Sequence, residues 1–146
     1  MWNAIVASLL VIGLFGCEAK KKVHSFPGQD FEYVMAYKMN GHYGLVVEDD
    51  KISLNTIGEG ERLLDEEEIE LIDILNDPES SGNIGALCFE PHVGYVFYGN
   101  QEQIVAHTTI CISCSQVRSQ PPVDSWILSS KGSKRLESLE DMIFIY

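Results

Sequence analysis

The chain has 146 residues, a formal net charge of −12 from 22 acidic against 10 basic side chains, and four cysteines. That length is one domain's worth. So small a share of Lys and Arg excludes nucleic acid as a partner, because phosphate recognition draws on clustered cations.

From Trp2 to Gly16 there is no charged side chain, and only Asn3 and Ser8 interrupt the apolar run. A lasting transmembrane helix needs about 20 apolar residues, so this stretch is too short to span and fits the h-region of a secretory signal. It ends in Leu14-Phe15-Gly16-Cys17, which resembles the bacterial lipobox: a leucine, a small residue before the cut, then cysteine. The resemblance implies that residues 1–16 are a signal peptide, that Cys17 carries a diacylglycerol anchor, and that the membrane is a partner through it. An uncleaved anchor helix and a buried helix of a cytosolic protein are the competing readings. Glu18-Ala19-Lys20 follows the cysteine in place of the acidic run that marks some surface-exported lipoproteins, which favours the periplasmic side of the cell envelope.

Residues 17–29 read as a solvated tether, with Lys20-Lys21-Lys22, His24, Ser25, Pro27 and Gly28. Residues 30–146 then form a single α+β domain. Phe31 to Met39 is rich in β-formers, Asn40-Gly41 supplies a turn, and Tyr43 to Glu48 reads as the returning strand. Asp49 to Asn55 adds another turn and a short strand, giving an antiparallel meander.

Leu64 to Asn76 predicts a helix with Asp65 as N-cap, Glu68 as its box partner, Leu64 stapled to Ile69, and Ile69, Ile72 and Leu75 on the docked face. Asp77-Pro78 stops it. The acidic residues of its first turn suit the helix dipole and solvent rather than calcium, which wants alternating oxygen ligands and a glycine in a loop. A second short helix runs from Ser130 to Met142 with Ser129 or Ser130 as cap, packing on the same face of the sheet, and Trp126 is expected beneath it.

Between the helices, the hairpin 88–114 carries most of the chemistry. A turn at Gly99 to Glu102 sets Tyr98 opposite Gln103 and collects Phe89, Pro91, Val93, Tyr95 and Phe97 with Ile104, Ala106, Thr108, Ile110 and Ile112 on one apolar face. The opposite face then holds Cys88, Glu90, His92, Gly94 and Val96 beside Val105, His107, Thr109 and Cys111, with Cys114 just beyond. Cys88, His92, Cys111 and Cys114 thus converge on one end, His107 standing farther along.

Thiolate and imidazole in that number suit tetrahedral zinc, so zinc is the possible cofactor, and copper an alternative. In an oxidising compartment a disulfide competes, and once Cys17 is lipidated the odd count leaves one thiol spare. Cys88 and Cys111 are diagonal in this register, and Cys111 needs a turn to reach Cys114. Thiol-redox work is the remaining reading, although Cys111-x-x-Cys114 lies on strand and turn rather than at the helix N-terminus that activates such motifs. Cys88 with His92 as a nucleophile pair lacks any visible oxyanion hole, so no residue is assigned as catalytic.

The ordered run Cys88-Phe89-x-Pro91-His92, Tyr95-Val96-Phe97-Tyr98, Ile104-Val105-Ala106-His107, Ile110-Cys111-x-x-Cys114 and Ser130-Lys131-Gly132 resembles an uncharacterised family of small bacterial lipoprotein-type proteins. The resemblance implies one exported α+β domain and a joint role for Cys88, Cys111 and Cys114, and it carries no activity. Two function classes therefore stand: a lipid-anchored binding or structural module of the envelope, or a metal-binding or thiol-redox protein built on the same cluster.

Overall fold

A computed structural model describes residues 25–145. Cys17, the signal expected before it, Lys20 to Lys22 and His24 lie outside the described residues. Among the described residues no helix is long and apolar enough to cross a membrane. The domain is α+β: a five-stranded antiparallel sheet, a separate two-stranded hairpin and two helices.

Strand β1 (Tyr33–Met39) is followed by the small hairpin β2 (Val47–Glu48) and β3 (Lys51–Ile52), then β4 (Thr56–Arg62). Helix α1 (Asp65–Asn76) leads to β5 (Val93–Tyr98), β6 (Ile104–Cys111), β7 (Gln116–Gln120) and helix α2 (Ser130–Ile143). The sheet order is β4-β1-β5-β6-β7, so the first strand sits inside the sheet. Tyr43 to Glu48 does not return along β1 as the sequence pattern suggested. That neighbour is β4, whose Gly60 leaves room for the Tyr37 ring: a Cβ there would lie 2.6 Å from it. Residues 43–46 instead cross the outer side of the sheet.

On the β5–β6 ladder Val93 faces Ile110, Tyr95 faces Thr108 and Phe97 faces Ala106, a register two residues away from the expected one. The loop is longer than the assumed four-residue turn, with Tyr98 opposite Ile104, and a bulge follows between Phe97 and Tyr98. From Val93 to Phe97 this shift of two keeps every side chain on its face. The bulge adds a shift of one, so Ile104, expected on the core face, packs with the outer cluster of Met39, Val46 and Val96, and Val105 packs with the core. Val93, Tyr95, Phe97, Ala106 and Ile110 therefore do enter the core, with Val34 and Ala36 of β1, Leu71 and Ile74 of α1 and Leu136 and Leu139 of α2. Each fully buried aliphatic side chain contributes about 2 kcal/mol relative to exposure.

The N-cap of helix α1 stands one residue before the expected Asp65. Leu64 is the N-cap, and its amide donates to Glu67 Oε2 at 2.8 Å, so Glu67 rather than Glu68 is the reciprocal partner. Glu68 turns to the sheet, where Oε1 accepts from the Val34 amide at 2.8 Å. The inward stripe is rotated accordingly: Leu71 and Ile74 are buried, Ile72 and Leu75 partly so, and Ile69 is left exposed with Leu64, so no staple forms. Helix α2 is capped by Ser129, whose hydroxyl accepts from the Gly132 amide at 3.1 Å. Arg135 of α2 donates to Glu70, Asp73 and Asp77, joining the helices on their exposed side.

The described end of the expected tether is not free. Phe26 is buried against Phe97, ring centroids 5.2 Å apart, and Asn76 pairs with both backbone groups of Phe26 at 2.8 Å. Trp126 does not sit beneath α2. Its side chain is exposed while its carbonyl accepts from Val117.

Candidate functional site

The outer face of the sheet is crossed by residues 43–48. The Val46 amide donates to Thr109 Oγ1 at 2.8 Å, and Val46 lies against Gly94, where a Cβ would come within 2.3 Å of its own Cβ. Glycine is the residue that permits this approach. Met39, Val46, Val47 and Val96 form a small second core there, and Leu45 packs on a third cluster of Phe89, Cys111 and Cys114.

Cys111 is the last residue of β6 and Gln116 the first of β7. The reversal between them is tight: Ser115 takes a left-handed φ of 53° without being glycine, and its amide donates to the Ile112 carbonyl at 2.9 Å. This is the turn the sequence reading required, and across it Cys111 and Cys114 form a disulfide. Both are buried, at 0% and 1% exposure.

Cys88 is brought to them by a different route from the one expected. The strand starts only at Val93, and the backbone before it leaves the ladder: Pro91, which has no amide to give, and His92 accept through their carbonyls from Gly41 and Met39. Phe89, expected on the core face, consequently packs on the outer one. The segment carrying Cys88 is fixed by the Ala86 amide donating to the Cys114 carbonyl at 3.0 Å, and by buried Gln116, whose carboxamide donates to the Ala86 and Cys88 carbonyls. Cys88 is exposed, yet its Sγ stands 2.8 Å from Cys114 Sγ. Its close neighbour is thus Cys114, not the diagonal Cys111. All three cysteines meet: one buried disulfide with a thiol against it.

His92 is not gathered with them. It is exposed beside Gly41 and lines a hollow of about 320 Å³ with Ile112, Ser113, Glu137 and Glu140. Among the described residues no group of three or more His, Cys, Asp or Glu side chains is placed to hold a metal ion. Burial of two sulfurs as a disulfide accounts for this, since thiolates are the ligands zinc takes.

His107 pairs across β5 with Val96, on the outer face as expected. It borders a hollow of about 520 Å³ with Tyr43, Leu45, Glu48, Arg118 and Gln120. Its Nδ1 is buried with no hydrogen-bond partner, and burial lowers its pKa below the ordinary histidine value, favouring the neutral ring. Arg118 was not singled out from the sequence. It stacks 4.0 Å from the Phe89 ring centroid and donates to the Tyr43 hydroxyl at 2.8 Å, closing the wall between this hollow and the sulfurs. The signal for it was the alternation Gln116, Arg118, Gln120 on β7, polar residues all directed to the same side.

No protein-family model, curated protein or solved structure matches the chain.

Proposed function

We propose that this is an exported lipoprotein, anchored through Cys17 on the periplasmic side of the cell envelope, whose domain serves as a binding or structural module with its cysteine cluster closed by a disulfide. The observation that carries the reading is the buried Cys111–Cys114 disulfide, a bond that persists in oxidising compartments and is rare in the cytosol. It agrees in kind with the Leu14-Phe15-Gly16-Cys17 sequence. The hollow lined by His107, Arg118, Tyr43 and Glu48 is the surface offered to a ligand, since it sets a cation, a carboxylate and an imidazole around one space.

Mass spectrometry of the chain recovered from membranes tests the anchor. The expected species begins at Cys17 and carries diacylglycerol, and an N-terminus still at Met1 overturns the reading. Elemental analysis tests the metal alternative. One equivalent of zinc or copper, with all three cysteines of the domain titrating as thiols, replaces the disulfide module by a metal-handling protein.

A further inference from the structure

We infer that Cys88, Cys114 and Cys111 form a thiol–disulfide exchange site, in which exposed Cys88 gives thiol reagents and partner thiols access to a disulfide that is itself buried. The inference rests on the disulfide of the preceding reading, not on its lipid anchor. Three observations carry it. The Cys88 and Cys114 sulfurs are 2.8 Å apart, held so by Gln116 and by the Ala86 to Cys114 backbone bond. Cys111 and Cys114 are 0% and 1% exposed, so a reductant in solution reaches neither directly, whereas Cys88 is open to it. Ser113 Oγ lies 3.5 Å from Cys111 Sγ, where its hydroxyl can donate to that sulfur as it leaves.

The step conserves electrons. Cys88 gives its proton to solvent, and the thiolate attacks Cys114 Sγ. A Cys88–Cys114 bond forms as the Cys111–Cys114 bond breaks, and the electron pair departs on Cys111, which takes up a proton. One disulfide and one thiol stand on each side, so no oxidant is consumed. In the new isomer the disulfide includes an exposed sulfur. An external thiolate attacking Cys88 Sγ then forms a mixed disulfide there and releases Cys114 as a thiol. A second external thiol then displaces the first from Cys88 as an external disulfide, so the buried Cys111–Cys114 pair is reduced, or re-formed by the reverse steps, through one surface position. The arrangement differs from the usual Cys-x-x-Cys redox site, where the reactive thiolate is exposed at a helix N-terminus.

The test uses the full-length chain in detergent. After acid quenching, unfolding and alkylation without reductant, tandem mass spectrometry of a digest locates the free thiol. The expected result is label on both Cys88 and Cys111, the signature of two linkage isomers. In parallel, the Cys111–Cys114 bond of Cys88→Ser is expected to be reduced by dithiothreitol about tenfold more slowly than in the parent, because the accessible sulfur is gone. Cys88→Ser alters an exposed side chain and keeps the disulfide, and its urea midpoint verifies the fold. Cys111→Ser is expected to contain a Cys88–Cys114 disulfide and no free thiol among these positions.

Label confined to Cys88, with an unchanged reduction rate in Cys88→Ser, overturns the inference. So do two free thiols in Cys111→Ser. Cys17 is read as a separate peptide. A chain with an unprocessed N-terminus that still shows both isomers defeats the anchor alone, and an anchored chain that shows one isomer and no rate difference defeats the exchange alone.

Discussion

Gly94 of β5 and Val46 of the crossing segment touch so closely that the glycine's missing methyl group is what lets residues 43–48 lie on the sheet. The contact fixes one wall of the His107 hollow and sets Leu45 against the disulfide. Gly94→Ala should therefore act in two places. The expected loss is about 1–3 kcal/mol from overpacking, read as a lower urea midpoint. Faster hydrogen exchange at the Val46 amide, now bonded to Thr109, should accompany it. A variant with an unchanged midpoint and unchanged exchange would contradict the packing.

Ser129 holds the start of α2 twice, accepting from the Gly132 amide and donating to the Glu79 carbonyl at 2.6 Å. Ser129→Ala is expected to cost about 1 kcal/mol, and Ser129→Asp less, because an aspartate restores the acceptor. Thermal unfolding of the two variants side by side checks the order.

Glu140 of α2 supplies a pH dependence. Burial raises its carboxyl pKa above the ordinary 4.5, with the charge of His92 pulling the other way and Asp141 and Glu137 adding to the rise. In the window between 4.5 and the raised value the folded chain binds more protons than the unfolded one, so stability falls as pH rises through it. Glu140→Gln should remove that contribution. The variant is expected to gain stability over the parent at neutral pH and to show no gain in acid below the window, measured as urea midpoints. Equal differences at both ends would refute the assignment.

Arg135 faces Glu70, Asp73 and Asp77 from the other helix, its side chain 22% exposed. Arg135→Met keeps much of the stem and removes the charge. The expected cost is about 1 kcal/mol at low salt for a partly exposed network, shrinking at high salt as the remaining carboxylates are screened from one another. A double-mutant cycle with Asp73→Asn isolates the pair, and no coupling would show that Asp73 is held by solvent alone.

Much of this fold was readable because the informative segments are strongly periodic. Val93, Tyr95 and Phe97 against Ala106 and Ile110 identify the inner face whatever the loop length, provided the error is even, and Ser129 marks its helix directly. What failed has local causes. β4 reads Thr-Ile-Gly-Glu-Gly-Glu-Arg, a poor strand by propensity, and becomes one because the Tyr37 ring lies over Gly60. Tyr43 to Glu48 reads as a strand because it is apolar, but its Leu45, Val46 and Val47 pack on the outer face of a sheet the segment crosses.

In the cysteine cluster, the Cys111-x-x-Cys114 turn was legible as strand then turn. The position of Cys88 was not, because Pro91 and the pairing of residues 39–41 with 91–92 hold the chain off the β5–β6 ladder, which starts only at Val93, five residues after it. That departure exchanges the sides of Phe89 and His92, and it separates the histidine from the sulfurs. Gln116 and Arg118 offered only the polar alternation of β7. Their roles, holding the Cys88 segment and walling the hollow, come from which backbone happens to pass overhead.

The sheet order has a further consequence for how the chain comes into being. β1 emerges early yet stays half-built until Val34 can meet Phe97, and the inner layer stays open until Leu136 and Leu139 arrive near the end. A polypeptide arranged this way completes its inner layer only when the second helix is in place, so the order of contacts runs against the order of the chain.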